Sequence, residues 1–264
     1  MWIYVWDSEI KGIYLWDTPV KEVYLWDTKI RPAELPPYLC FTANTWGTIY
    51  LNQVSYPYWV SIETSTDWEN WSTYTFWNGI TLSNPWDKVY FRNTSETTTW
   101  FSYDGSRYYQ FSIWWWSTSS ISASWDITYL INKNGTDTLW YNFCFINLFR
   151  WCTYLTTPPD LPATTLAERC YNAMFYNCPN LESLPKLPAT TLPDFCYSNM
   201  FSSCPKIKLS KTQTWAYQTA YRIPITWTGT SWAYSLDNMF YGTWWTFKTT
   251  PSINTTYYTS NTVV

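Results

Sequence analysis

The chain has 264 residues, a formal net charge of −3 and no histidine. Because histidine is the commonest general base and metal ligand, its absence excludes Ser-His-Asp and Cys-His catalysis. The acidic balance and the lack of blocks of like charge argue against a nucleic-acid partner, and no apolar run is long enough to span a bilayer.

Residues 3–32 contain three copies of a ten-residue unit, IYVWDSEIKG, IYLWDTPVKE and VYLWDTKIRP. In each copy, alternating β-branched and aromatic residues precede a Trp-Asp-Ser/Thr turn, a pattern that predicts short strands joined by tight turns. A proline-rich segment then closes a first region, 1–37, as a stiff linker. The start of the chain lacks the basic segment and cleavage site of a secretory signal. We therefore expect export by another route, trimming, or assembly inside a cell as part of a particle.

Residues 38–125 are rich in Thr, Ser, Tyr and Val. Short alternating runs, such as 48–51 and 88–91, are separated by turn residues about every ten positions. This spacing predicts an antiparallel β-sandwich.

Residues 126–250 repeat with a period of 26 residues. Two sets of cysteines and the string Leu-Pro-Ala-Thr-Thr-Leu recur in this register: Cys144, Cys170 and Cys196; Cys152, Cys178 and Cys204; and residues 161–166 and 187–192. A fixed period of this length is typical of a solenoid, whose units bury their apolar sides against their neighbours. We expect each unit to contain a helix, around 166–177 in one of them, with Thr164 or Thr165 as its N-cap and Glu168 in its first turn.

A fourth unit is displaced by an insertion at 208–237, and the segment 251–264 forms a tail. The whole sequence therefore predicts a mainly β protein with a C-terminal α/β leucine-rich-repeat-like solenoid, N-terminal short β repeats and a β-sandwich. Its regions are 1–37, 38–125, 126–250 and 251–264.

Six of the seven cysteines form three Cys-x7-Cys pairs, and Cys40 stands alone. A helix between the members of a pair would separate them by roughly 12 Å, too far for a disulfide. We therefore expect reduced thiols that pack as small apolar side chains. A zinc site with ligands from several repeats is the alternative. We predict no metal and no cofactor.

The segment Met174-Phe175-Tyr176-Asn177-Cys178-Pro179-Asn180-Leu181, together with the Leu-Pro-Ala-Thr-Thr-Leu connectors, resembles the BspA-like leucine-rich repeat family. The resemblance covers roughly 126–250, and the stretch 87–96 is similar to the β-domain that precedes such repeats in some members. It implies a surface protein of a host-associated bacterium or an accessory protein of a bacteriophage, with roles in adhesion and recognition. The family supplies no catalytic residues.

From this resemblance we expect a non-enzymatic virion or surface structural protein, tail-associated or capsid-decorating, that mediates assembly and host-surface recognition. Its partners would be other virion or surface proteins and a host surface protein or glycan. It would be located in a virion or at a cell surface, with homo-oligomers possible. Receptor contact would fall on the solenoid face or on the insertion 208–237.

Two alternatives remain open. The first is a bacterial cell-surface adhesin of the same family. The second is a carbohydrate-binding or polysaccharide-degrading protein, because a glycosidase needs two carboxylates across a cleft. Asp67, Glu69 and Asp87 are the candidates in the β-region, and solvated loop charges are the better interpretation of all three.

The chain has 22 tryptophans and only 7 glycines, where glycine averages about 7% of residues in proteins. Several tryptophans occupy turn positions that favour glycine, namely Trp6, Trp16, Trp26, Trp86, Trp125, Trp151, Trp244 and Trp245. We hypothesise that many represent UGA codons that the source reads as glycine, as some candidate bacterial phyla and their phages do. Trp59, Trp68 and Trp71 are expected to be true tryptophans. The alternative is that all the indoles are real and form sugar-stacking platforms.

Overall fold

The computed structural model describes residues 14–15, 18–19, 23–25, 28–30, 37–55, 60–114, 119–185, 187–189, 191–207 and 234–243. The predictions made for Trp6, Trp16, Trp26, Trp59, Trp244, Trp245, the tail 251–264 and nearly all of the insertion 208–237 lie outside these residues. The chain divides into two compact units, residues 1–37 and 38–264.

The described part of the first unit consists of two antiparallel hairpins. Strand β1 (Tyr14–Leu15) pairs with β2 (Thr18–Pro19), and β3 (Val23–Leu25) pairs with β4 (Thr28–Ile30). Each hairpin falls within one ten-residue copy, the first within 13–22 and the second within 23–32.

The second unit is mainly β. Its strands are β5 (Leu39–Ala43), β6 (Gly47–Val54), β7 (Ile62–Ser65), β8 (Ser72–Thr73), β9 (Ile80–Leu82), β10 (Lys88–Asn93), β11 (Tyr108–Trp114), β12 (Ile121–Ser124) and β13 (Leu155–Thr157). One sheet has the order β13-β12-β5-β10-β7-β8, and a second has the order β11-β6-β9. All these pairings are antiparallel except the parallel pairing of β12 with β13.

The two sheets pack through buried aromatic side chains. Phe41 of β5 and Phe91 of β10, on the larger sheet, place their rings 4.8 Å and 5.2 Å from the ring of Phe111 on β11. All three residues are fully buried. Because side chains alternate between the two faces of a strand, the alternating runs of the sequence send one set of apolar residues into this core.

Four repeat segments, residues 144–152, 170–178, 196–204 and 235–243, are built from turns. The prediction of a helix around 166–177 is therefore wrong. Tyr171, Ala173 and Phe175 donate their N–H groups to carbonyls of the next repeat, at 3.1, 2.9 and 2.9 Å. The residues between them donate within the segment instead, for example Met174 to the carbonyl of Tyr171 at 3.2 Å. An α-helix needs every N–H for the carbonyl four residues earlier, so a segment that gives alternate donors to its neighbour cannot be helical.

The expected N-cap has a different role as a result. The N–H groups of Thr164 and Thr165 both donate to the carbonyl of Asp137, at 2.8 and 3.1 Å, which ties this connector to the preceding segment. The only helix among the described residues is a short 3-10 helix, Ile127–Leu130, whose N-cap Asp126 accepts from the N–H of Thr128. No helix in this part of the chain is long and apolar enough to cross a membrane.

A column of parallel aromatic rings runs through the stacked segments. Phe149, Phe175, Phe201 and Phe240 lie one above another, with ring centroids 5.3, 5.6 and 5.6 Å apart. Phe149 also contacts the ring of Phe111 at 5.4 Å, so the column continues into the core between the sheets. The β-sheets and the stacked segments therefore share one hydrophobic core.

All seven cysteines are buried and free, which confirms the expected absence of disulfides although the helix used to argue it is wrong. The second cysteine of each pair has a specific partner. The thiols of Cys152, Cys178 and Cys204 each lie 3.0 Å from a backbone carbonyl, that of Phe111, Phe149 and Phe175 respectively. Each thiol thus helps to hold its segment against the preceding layer of the structure.

Candidate functional site

A groove with a volume of about 710 Å³ opens between the smaller sheet and the first repeat segment. Strands β6 and β11 form its floor, and the loop between β8 and β9 and the end of the first repeat segment form its walls. The lining residues are Asn52, Val54, Trp77, Gln110, Ser112, Ile113, Arg150, Trp151, Thr153 and Tyr154.

The strand register explains why the floor is polar. Asn52 pairs with Gln110 across β6 and β11, and the alternate residues Leu51 and Phe111 point into the core. The amide of Asn52 donates to the hydroxyl of Ser112 at 2.7 Å. The floor is therefore the outer side of a sheet whose other side, at Leu51 and Phe111, faces the apolar core.

Two polar atoms of the groove are inaccessible to solvent and have no hydrogen-bond partner among the described residues. These are the side-chain oxygen Oδ1 of Asn52 and the guanidinium Nε of Arg150. The amide of Gln110 donates to the backbone carbonyl of Arg150, which fixes the backbone at this point. Buried polar groups are normally paired, so an unpaired acceptor and an unpaired donor in one groove are unusual. Because both atoms are enclosed, a ligand would contact the other polar groups of the lining.

Arg150 makes the groove electropositive. It forms no ion pair with any described residue, and its guanidinium lies 5.1 Å from the ring centre of Tyr176 and 5.9 Å from that of Trp151. None of the ten lining residues is acidic. A guanidinium with no carboxylate partner among the described residues offers a two-pronged donor to an anionic oxygen pair.

Two exposed indoles flank the groove. Trp77 and Trp151 are 62% and 54% exposed. Their backbones have φ angles of 69° and 66°, in the left-handed region that bulky residues rarely adopt.

The candidate carboxylates of the β-region lie elsewhere and have structural contacts. Asp67 accepts from the N–H groups of Glu69 and Asn70, at 3.0 and 2.8 Å, in the loop between β7 and β8. These hydrogen bonds, with those from the side chains of Asn70 and Ser65, lower the pKa of the Asp67 carboxyl. Such contacts are typical of a carboxylate that closes a turn.

Asp87 has an equivalent role in the loop between β9 and β10. Its carboxylate accepts from the N–H groups of Ser83 and Asn84, both at 2.9 Å. Asp67 and Glu69 lie in one loop and Asp87 in another, and none of the three lines the groove. The structure therefore does not place them around it as an acid and a base.

The buried thiols are also poor candidates for chemistry. Burial raises the pKa of the thiols of Cys144, Cys152 and Cys196 well above the usual range, so they stay protonated at neutral pH. Within the described residues no group of three or more His, Cys, Asp or Glu side chains is placed to hold a metal ion.

Comparison of the chain with protein-family models, with curated proteins and with solved structures finds no match. The groove and the repeats are therefore the features of the chain that bear on its function.

The polar residues of the groove could not be identified from the sequence. Asn52, Gln110 and Ser112 have no motif around them, because their role depends on the pairing of two strands that are distant in sequence. Arg150 did carry one signal. The equivalent positions of the later segments hold Tyr176, Ser202 and Tyr241. Arg150 is therefore the single charged residue among the four equivalent positions.

Proposed function

We propose that the chain is a non-enzymatic structural protein of a virion or cell surface that mediates assembly and recognition of a host surface. In this proposal the groove beside Arg150 binds an acidic glycan of that surface. A bacterial adhesin would use the same groove and differ in its location. The resemblance of the repeats to the BspA-like family supports both versions.

The stacked segments support the proposal that residues 126–250 form a leucine-rich-repeat-like solenoid. The N–H groups of Phe145, Tyr171 and Tyr197 donate to the carbonyls of Cys170, Cys196 and Ser235, so one hydrogen bond recurs from segment to segment. Each segment also adds one phenylalanine to the aromatic column. Proteins built in this way present extended surfaces, and their repeats seldom carry catalytic groups.

The observation that carries the recognition role is the chemistry of the groove. The lining has amide and hydroxyl side chains, the kinds of group that bind sugar hydroxyls, and the guanidinium of Arg150 matches a carboxylate. The exposed indoles at the edge would add stacking against sugar faces if both are true tryptophans. This combination favours an acidic polysaccharide over a neutral one.

Titration calorimetry with two soluble polysaccharides tests the proposal. Polygalacturonate is the acidic probe and dextran the neutral one, and the whole 264-residue chain is used. We expect binding of polygalacturonate only, and a loss of at least about tenfold in affinity in the variant Arg150→Gln, since a charged hydrogen bond contributes about 1.5–3 kcal/mol.

Arg107→Gln is the matched control. Arg107 carries the same charge and lies outside the groove, where it pairs with Asp104 at 2.6 Å. Its replacement should leave the affinity for polygalacturonate unchanged. Equal weakening by both substitutions would show non-specific attraction of a polyanion and would refute the role of the groove. Absence of binding to polygalacturonate would refute the choice of an acidic glycan.

A further inference from the structure

The tryptophans of this chain coincide with left-handed backbone. Outside the stacked segments, the structure describes five non-glycine residues with a clearly positive φ. One is Ser55, and the other four are tryptophans: Trp68, Trp77, Trp86 and Trp125, with φ angles of 57°, 69°, 74° and 66°. Left-handed residues are usually Gly, Asn or Asp, because a Cβ atom is crowded there.

The local hydrogen bonds place two of these tryptophans, Trp77 and Trp86, at the third position of a turn. Asp87 donates its N–H to the carbonyl of Asn84 at 3.2 Å, which closes a turn with Pro85 second and Trp86 third. Proline followed by a residue of positive φ is the pattern of a type II turn, whose third position favours glycine. Asn78 closes the same kind of turn on Thr75 at 3.1 Å, with Trp77 third.

Trp151 has direct counterparts in the other segments. It is the third residue of the turn that the N–H of Cys152 closes on the carbonyl of Phe149. The equivalent residues are Asn177, Ser203 and Gly242, with φ angles of 58°, 61° and 69°, against 66° for Trp151. Other large side chains do occur at positive φ in the stack, such as Phe143 and Phe195. Position 151 is therefore assigned from the small residues at the equivalent positions of the other segments.

The indoles at three of these positions are largely exposed. Trp77, Trp86 and Trp151 are 62%, 76% and 54% exposed. Burial therefore does little to offset the crowded backbone.

Trp71 shows what a true tryptophan looks like in this chain. Its indole N–H donates to the carbonyl of Trp68 at 2.8 Å, and the guanidinium of Arg92 lies 3.8 Å from the centre of its ring. Its ring also meets that of Tyr38 edge-on at 5.0 Å, and its φ is not in the left-handed region. Only an aromatic side chain with a donor could make these contacts.

We infer that positions 68, 77, 86, 125 and 151 are glycines in the protein as its source makes it, because the gene has UGA there and the source reads UGA as glycine. Position 71 is a true tryptophan. The inference agrees with the expectation for 86, 125 and 151 and corrects the one for Trp68, which was expected to be genuine. It does not depend on the proposed function.

Two measurements test the inference directly. In the gene, we expect UGA at the five positions and UGG at position 71. In peptide maps of the natively produced protein, we expect glycine at the five positions and tryptophan at 71. UGG codons or intact tryptophans at the five positions would overturn the inference. Glycine at position 71 would show that backbone conformation does not distinguish recoded glycines from true tryptophans.

A third test needs only synthetic genes in an ordinary host. The chain with all five positions changed to glycine should melt at a higher temperature than the chain with tryptophan, because the turns lose a crowded side chain. The control Trp71→Gly, made in either chain, should lower the melting temperature. A five-glycine chain that melts below the tryptophan chain would contradict the structural argument.

Discussion

The substitution Phe175→Ala tests whether the stacked segments and the sheets form one cooperative structure. Phe175 is fully buried, and its ring lies between those of Phe149 and Phe201 at 5.3 and 5.6 Å. Replacing a core phenylalanine with alanine costs about 3–5 kcal/mol, which includes two ring pairs of about 0.5–1.5 kcal/mol each. We expect a loss of this size in the free energy of unfolding, measured by urea denaturation.

The control for this experiment is Tyr241→Ala. Tyr241 belongs to the same stack but is 59% exposed, so its replacement should change the free energy of unfolding by no more than about 0.5 kcal/mol. A single unfolding transition is expected in both variants, because the aromatic column continues into the core of the sheets. A loss below about 1 kcal/mol in Phe175→Ala, or a separate transition for the repeats, would refute the shared core.

Three further predictions concern the thiols and Trp71. In the native protein the seven buried cysteines should not react with a thiol reagent at pH 8, and all seven should react in denaturant; rapid native labelling would contradict their burial. Burial raises the pKa of six of these thiols above the ordinary value of 9.0 in the folded chain. As the pH rises, the unfolded chain therefore loses its thiol protons before the folded chain does. The free energy of unfolding should fall above pH 9 by about 1.4 kcal/mol per pH unit for each thiol. Urea midpoints that do not change from pH 8 to 10 would count against this. Finally, Trp71→Phe keeps a ring but removes the hydrogen bond to the carbonyl of Trp68, so it should cost about 1 kcal/mol in thermal unfolding, and a variant as stable as the parent would weaken the case for a true tryptophan there.

The β-rich character of the chain and the register of its repeats were accessible from sequence because both depend on local or periodic patterns. Alternating residues in β5 and β10 place Phe41 and Phe91 on one face of the sheet. Cys152, Cys178 and Cys204 recur every 26 residues, and each of their thiols donates to a carbonyl of the preceding layer. A repeat that buries its apolar residues only against its neighbours must preserve those positions, and the sequence displays them directly.

The helix was mispredicted for a physical reason. Apolar residues at 170, 171, 174, 175 and 178 fit a helical period, but they also fit a series of turns whose left-handed residues recur every four positions. The distinction depends on which carbonyl accepts each N–H. Ala173 donates to Ser198 in the next segment, and a single segment cannot reveal that partner. Left-handed residues at Arg169, Ala173 and Asn177 make the turns possible, and two of these are not residue types that signal such a conformation.

The groove could not be predicted because it is assembled from distant parts of the chain. Asn52 and Gln110 meet through the pairing of β6 with β11, and Arg150 reaches them from the first repeat segment. Pairings over such distances leave no local pattern in composition. The tryptophan positions are the opposite case, because the excess of tryptophan over glycine is visible in the composition and the turns identify where it falls.

The proposed glycan binding and the proposed glycine positions both concern the groove, because Trp77 and Trp151 line it and both have left-handed backbone. If both are glycines in the native protein, indole stacking cannot contribute to recognition there. The polar side chains of the floor and the guanidinium of Arg150 belong to other residues, so the polar floor and the positive charge remain. We therefore expect Arg150→Gln to weaken polygalacturonate binding by the same factor in the tryptophan chain and in the chain with glycine at 77 and 151, as measured by calorimetry. An affinity that survives Arg150→Gln but disappears with the two glycines would instead identify the indoles as the binding groups, and the ligand would then be a sugar face and not an acid.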